Sequence, residues 1–331
     1  MPNGDVLTPK EASIIANNVY FTLKDWVTGN PQKGIEARDV VEDSVIGRSS
    51  TSLKETQLAG GKLNRIHQAS TGFNTKTGFG YTLSFNKSGR THLVVATRGT
   101  RPEIGIPDIA TDLHISLSSF GDYGPVHAGF KNTFDSIIHS IDEATIKSAD
   151  VVHFVGHSLG GAVATLLAAH FANIKKVKLY TFGCPKVGAF EASRNIETKI
   201  GEQNIYRVAH NLDPISMIGP FPYIHLVPAR ANANNFTMLS TRGLGLDSHD
   251  MGYYIDQVSD SENWRVLKRA SHIIDKEEAN LASKLLYTED SGWVRYACMK
   301  TLETLFKLLS FVLKGISTAL VLKLTAIDVL A

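Results

Sequence analysis

Cysteine is nearly absent. Cys184 and Cys298 are the only two in 331 residues, so no disulfide framework holds this chain together. Both are expected to be reduced and structural. An excess of one charge is also lacking. The 34 Lys and Arg stand against 32 Asp and Glu, a net charge of +2, which by itself does not support nucleic-acid binding. The apolar C-terminal tail lacks a long uncharged run as well: its longest is Gly315–Leu322, far short of the roughly 18 residues that argue a spanning helix. The first twenty residues, MPNGDVLTPKEASIIANNVY, lack a charged stretch followed by an apolar one. An ordinary cleaved secretory signal is therefore not expected. The expected location is cytoplasmic, or exported without such a signal, with a peripheral membrane position open.

What is present is a globular composition. Hydrophobic residues make up 43% and charged residues 20%, which suits one large α/β domain or two smaller ones. Thr8-Pro9-Lys10-Glu11 reads as a capping box with Pro9 at the first helical position, predicting a helix to about Leu23. Residues 29–51 are polar and loop-like. Strands are predicted at Leu63–Ala69, Phe79–Phe85 and His92–Thr97, with Asn86-Lys87-Ser88-Gly89 turning the last two into a hairpin. Residues 102–119 read as mixed and partly helical. Phe130–Ile146 has helical spacing. Further strands are expected at Val177–Phe182, Ile205–Ala209 and Tyr223–Val227, with a helix near Phe190–Ile200. This alternation argues for a mostly parallel sheet covered by helices on both faces.

The chemistry centres on Val151–Gly161, VVHFVGHSLGG, which contains a G-x-S-x-G pattern around Ser158. A serine hydroxyl is a weak nucleophile at neutral pH and needs a base within reach. A sharp strand-to-helix turn lifts it clear of the backbone, and flanking glycines leave room for that turn. The context is right. An apolar strand precedes Ser158, and Ala162–Phe171 is built from good helix formers. A hydrolase also needs an acid and a base, met in that order along the chain. Asp213 follows the strand Ile205–Ala209 and is held by Pro214. His225, His249 and His272 come after it. His225 sits in an apolar strand and His272 in a charged helical stretch. His249 opens a helix after a Gly-rich loop, but position alone does not choose among the three.

A set of motifs in order resembles the class 3 lipases, the fungal-lipase-like branch of the α/β-hydrolases. Val95-Ala96-Thr97-Arg98-Gly99-Thr100 is similar to the family's strand ending in R-G-T, and Val126-His127 with Gly129-Phe130 to its V-H-x-G-F. Gly156–Gly161 is similar to G-H-S-L-G-G, Thr181–Gly188 to T-F-G-x-P-x-V-G, and His249 with Tyr253 or Tyr254 to H-x-x-x-Y. The resemblance covers roughly Leu63–Tyr254. It implies an α/β-hydrolase fold with Ser158 as nucleophile, His249 as general base and acid, and Asp213 as orienting carboxylate. It also implies an oxyanion hole from the backbone N–H of Leu159 and from Thr100. Neither a metal nor an organic cofactor is called for. His127 is then expected to be structural and buried under the elbow. His157 and Gly161 should shape the turn, and Cys184 occupies a variable position of its motif.

The segment after R-G-T, residues 101–113, corresponds to the family's lid. Asp108 and Asp112 resemble its D-x-x-x-D, with Ile109 where an aromatic often stands. Ile104, Ile106 and Ile109 would form an apolar face toward lipid, or a fixed surface loop. The chain is expected to divide into a catalytic domain at 1–285 and a helical tail at 286–331. Lys300, Lys307 and Lys314 recur every seven residues within 292–327, giving one basic face and one wide apolar face. Such a helix suits an anionic membrane surface, or packing on the domain or on a second copy. The expected activity is therefore hydrolysis of carboxylic esters of lipids, by a phospholipase A or glycerolipid lipase, with a lipid as partner. Three alternatives stand beside it: a small-ester esterase, a non-catalytic lipase-like binding protein, and an effector that disrupts membranes through its tail.

Overall fold

The computed structural model describes residues 3–20, 61–70, 76–100, 116–219, 223–227, 234–238, 240–242, 246–261 and 263–267. The lid candidates Ile104, Ile106 and Ile109, together with Cys298, His272 and the tail, lie outside them.

Helix α1 (Pro9–Asn18) begins with the predicted capping box. The Glu11 N–H donates to Thr8 Oγ1 at 3.1 Å, and the Thr8 N–H donates to Glu11 Oε2 at 2.8 Å. Caps of this kind are worth about 1 kcal/mol. Strand β1 (Lys62–Ser70) pairs antiparallel with β2 (Lys76–Lys87), and β2 with β3 (Arg90–Thr97). Ser88 and Gly89 join β2 and β3 with φ of 53° and 74°. Two successive left-handed residues make the two-residue turn whose twist matches flanking strands.

Residues 117–127 form β4 (Leu117–Ser119) and β5 (Pro125–His127). The expected helix over 130–146 is in fact two, α2 (Ala128–Ile138) and α3 (Glu143–Ser148). Asp142 caps α3 by accepting the N–H groups of Ala144 and Thr145, and a new N-cap restarts the helix rather than continuing it. Then come β6 (Val151–His157), α4 (Leu159–Phe171), β7 (Val177–Phe182), β8 (Gly188–Ala189), α5 (Phe190–Ile200) and β9 (Ile205–His210). They are followed by α6 (Pro214–Met217), β10 (Tyr223–Ile224), β11 (Asn235–Met238) and α7 (Met251–Val258). The strand expected over Tyr223–Val227 stops at Ile224. Val227 lies at φ 43°, a left-handed conformation that no strand continues through. The strand at Asn235–Met238 escaped the sequence reading. Its four residues, NFTM, carry too little periodicity to be seen alone.

The main sheet runs β1-β2-β3-β6-β7-β9-β11. From β3 to β11 every pairing is parallel. All seven residues of β6 are buried, as expected for a central parallel strand covered on both faces. One core holds α2, α4 and α5 against the sheet. The other holds α1 and α7 against the opposite face, through Ile14, Ile15, Tyr180, Phe236 and Tyr254. A second, antiparallel sheet, β10-β8-β5-β4, lies apart. This is the α/β-hydrolase architecture. His127 is buried and stands in the second sheet, with its ring 4.3 Å from Phe130 and 5.8 Å from Tyr223 between centroids.

The N-terminal segment is tied to the second core. Glu11 and Lys87 form a buried ion pair at 2.9 Å. The Leu7 N–H donates to the Tyr180 hydroxyl, and Trp264 Nε1 donates to the Leu7 carbonyl. Breaking a buried pair by removing one partner costs roughly 3–5 kcal/mol, so this segment is held firmly.

His67 makes stability depend on pH. Its ring bonds Ser140 Oγ at 2.8 Å and also Thr82 Oγ1, deep in the sheet. Burial, assisted by Arg65, pushes its pKa down to about 4. In the unfolded chain a histidine takes a proton near pH 6.5. The unfolded state therefore binds the extra proton first, and stability falls as pH drops from about 6.5 toward 4. The loss reaches about 3 kcal/mol at the acid end. His67→Asn should flatten this dependence, checked by urea midpoints at pH 7 and pH 5. A variant as pH-sensitive as the parent would place the acid weakness elsewhere.

Candidate active site

Ser158 stands at the C-terminal end of β6, the central strand, where β6 turns into α4. Its backbone is at φ 58°, ψ −134°, a conformation costing on the order of 1–3 kcal/mol in a non-glycine residue. The surroundings hold it there. The Ser158 N–H donates to the Phe182 carbonyl at 3.0 Å, and the Gly161 N–H donates to the Ser158 carbonyl at 2.9 Å. Thr97 Oγ1 donates to the Gly160 carbonyl at 2.7 Å. The glycines are required by close approach. A Cβ on Gly156 would sit 2.3 Å from the Gly160 oxygen, and one on Gly160 would sit 2.2 Å from the Thr97 oxygen. The elbow is thus packed against the end of β3.

Asp213 caps α6 just past the end of β9 and is fully buried. Its Oδ1 accepts from the Ile215 N–H at 2.8 Å and the Ser216 N–H at 3.4 Å. Its Oδ2 accepts from His249 Nδ1 at 2.8 Å and from the Tyr254 hydroxyl at 2.7 Å. Both carboxylate oxygens are occupied, so the acid is fixed in one orientation. Burial and the neighbouring Asp213 charge hold the Tyr254 hydroxyl well above its ordinary pKa, so it remains a donor. Tyr254 in turn stacks on His210, with ring centroids 4.0 Å apart at 10°, and accepts the His210 N–H.

His249 ends the loop before α7, its side chain 11% exposed where Asp213 is sealed. Its ring stacks on His157 at 4.5 Å, and His157 immediately precedes Ser158. Gly183, at φ 52° after β7, forms the floor of this pair. A Cβ there would lie 2.6 Å from Asp213 Oδ2 and 2.9 Å from His249 Nδ1. The glycine of T-F-G therefore has a spatial reason. Nothing local in the sequence reveals it.

Thr100 follows Gly99 and is half-buried. Gly99 presses on the elbow, since a Cβ on it would lie 2.7 Å from Ser158 Cβ. Leu159 is the first residue of α4, where backbone N–H groups point out of the helix end. The structure thus brings Asp213 and His249 into a hydrogen-bonded pair beside the Ser158 elbow, with Gly99–Thr100 and Leu159 flanking it. The rival histidine His225 is elsewhere. Its Nε2 donates to the Ser216 carbonyl at 2.7 Å, and burial keeps its pKa well below the usual value. Cys184 is buried behind Gly161, and burial pushes its thiol up to about 12, so it stays protonated. The sequence reading missed Tyr254 as the acid's partner. H-x-x-x-Y leaves Tyr253 and Tyr254 undecided, and Tyr253 instead bonds Thr241 and carries Arg242 on its face.

A mostly parallel sheet with a strained serine elbow and a His–Asp pair at its strand ends defines an α/β-hydrolase. Residues 94–222 match the family model "Lipase (class 3)". A secreted mono- and diacylglycerol lipase of Fusarium solani is 32% identical over 165 residues, 46% of this chain and 47% of that protein. A triacylglycerol lipase of Ricinus communis is 25% identical over 184 residues, 39% of this chain and 35% of its own. The chain thus spans about half or less of the length of these relatives. Among solved structures, a mono- and diacylglycerol lipase of Aspergillus oryzae aligns at a TM-score of 0.48 and 18% identity, covering 74% of this chain and 86% of that one.

Proposed function

We propose that the protein hydrolyses carboxylic esters of glycerolipids through an acyl-enzyme on Ser158. The observation that carries this reading is the bond from His249 to the buried Asp213, with the His249 ring stacked on the residue that precedes a strained serine. Ser158 Oγ attacks the ester carbonyl and gives its proton to His249 Nε2. The Leu159 N–H and Thr100 take the developing oxyanion, each such donor being worth about 3–4 kcal/mol in the transition state. His249 returns the proton to the leaving alcohol. A water activated by the same ring then releases the fatty acid. Asp213 holds the ring and stabilises its charged form.

The relatives named as mono- and diacylglycerol lipases favour partial glycerides as substrate. The basic face of residues 292–327 favours a phospholipid surface as a second reading, with 1–285 as the catalytic part and the tail as its membrane contact. Product analysis on defined monoacylglycerols, diacylglycerols, triacylglycerols and phosphatidylglycerol separates the two. Release of fatty acid from the neutral lipids alone selects the first reading. Release of lysophospholipid selects the second. No acid from any of them, nor from a short-chain nitrophenyl ester, overturns the hydrolase assignment.

A further inference from the structure

Tyr20 lies just past α1, some 140 positions from the elbow in sequence, yet its hydroxyl touches both sides of the site. It receives the Gly99 N–H at 3.1 Å and lies 2.7 Å from His157 Nδ1. The other nitrogen of that ring, Nε2, lies 2.9 Å from the backbone carbonyl of His249. These contacts fix every proton. A carbonyl only accepts, so His157 Nε2 carries the hydrogen. Nδ1 is then an acceptor, and the Tyr20 O–H must donate to it. The Tyr20 oxygen is left free to accept from Gly99. The chain is therefore directional: Gly99 N–H to Tyr20, Tyr20 O–H to His157, His157 N–H to the His249 carbonyl. Burial supports it from both ends, raising the Tyr20 hydroxyl above its ordinary pKa and holding His157 well below its own. Both rings therefore stay neutral at physiological pH.

Each end of this chain is anchored to a different part of the reaction. Gly99 precedes Thr100, the candidate oxyanion residue. His249 is the candidate base, and its ring also stacks on His157. We propose that Tyr20 and His157 are positioning residues that set the oxyanion loop and the base loop in register through one shared hydrogen-bond chain. This rests on the ester-hydrolase reading for its catalytic consequence. Tyr20 is braced in turn by α1, which packs on α7, the helix that follows His249. The N-terminal segment is thereby part of the active-site scaffold, although it touches no reacting atom.

The test uses Tyr20→Phe, His157→Gln and His157→Leu in the full chain. Phenylalanine keeps the aromatic edge against His157 and loses only the hydroxyl. Glutamine keeps an N–H able to reach the His249 carbonyl, and leucine keeps none. With a short-chain nitrophenyl ester, Tyr20→Phe should lower kcat about tenfold to a hundredfold, with KM unchanged within about twofold. His157→Leu should lose at least as much, and His157→Gln should recover part of it. The double variant Tyr20→Phe/His157→Leu should be no worse than His157→Leu alone, because one chain is cut twice. A second readout needs no turnover. The imidazole 1H and 15N signals of His249, including the Nδ1 proton bonded to Asp213, should shift in Tyr20→Phe. Unchanged kcat together with unmoved His249 signals overturns the proposal, as does a fall in kcat that matches lost folded protein by circular dichroism. A wild-type chain that hydrolyses no ester counts against the hydrolase reading only, and the His249 signals then decide the positioning role alone.

Discussion

Ser158→Ala should remove ester turnover, with kcat lower by on the order of a millionfold, the scale set by nucleophile removal in other serine hydrolases. The substitution takes away one oxygen and little else. Alanine has the same Cβ, so the φ 58° backbone is no more strained than with serine. The turn is held by backbone contacts from Ser158 and by the Thr97–Gly160 bond, all of which survive. Circular dichroism and the urea midpoint should therefore match the parent, and substrate should still bind. The residual rate reports what the oxyanion donors and binding achieve without a covalent step. Full turnover on a short-chain nitrophenyl ester would remove Ser158 from the mechanism.

Asp213→Asn should lower kcat roughly ten-thousandfold, the effect seen when the orienting acid of a catalytic triad becomes an amide. The direction follows from the four contacts of this carboxylate. The Ile215 and Ser216 N–H groups demand an oxygen at Oδ1, so the new amide nitrogen must take the Oδ2 place. There it faces His249 Nδ1 and the Tyr254 hydroxyl. An NH2 group donates, which forces His249 Nδ1 to accept and moves the ring proton to Nε2. The nitrogen that should take the Ser158 proton is then already protonated. Tyr254 also loses its acceptor in a buried site, which costs about 1–3 kcal/mol of stability. Near-parental activity at pH 7 would show that Asp213 does not set the tautomer of the base. A pH–rate profile tests the same point, since the variant should gain activity in alkali, where a second proton route opens.

Much of the architecture could be read from local pattern. The capping box of α1, the Ser-Gly turn between β2 and β3, and the limits of β7 and α5 coincide with the sequence expectations. Each is governed by contacts within a few residues, so a few residues suffice to see it. The failures have a common cause. Asn235–Met238 becomes a strand only because β9 offers an open edge with matching register. The break between α2 and α3 depends on Asp142 capping a new helix, a choice that helical spacing at Phe130, Phe134, Ile137, Ile138 and Ile141 does not record.

The site divides the same way. By itself the sequence determined which residue types were available and in what order: a serine in a glycine-flanked turn, an Asp-Pro after a strand, and a histidine ahead of a helix. It did so because elbow geometry and capping are local demands on neighbouring residues. Only the tertiary structure decided which tyrosine reaches Asp213, why Gly183 must lack a side chain, and that Tyr20 meets His157 and Gly99 at one hydroxyl. Those contacts join segments up to 137 residues apart. They exist because a parallel sheet gathers the ends of distant strands on one edge, and because a buried hydrogen bond must be satisfied wherever its partner lies in sequence.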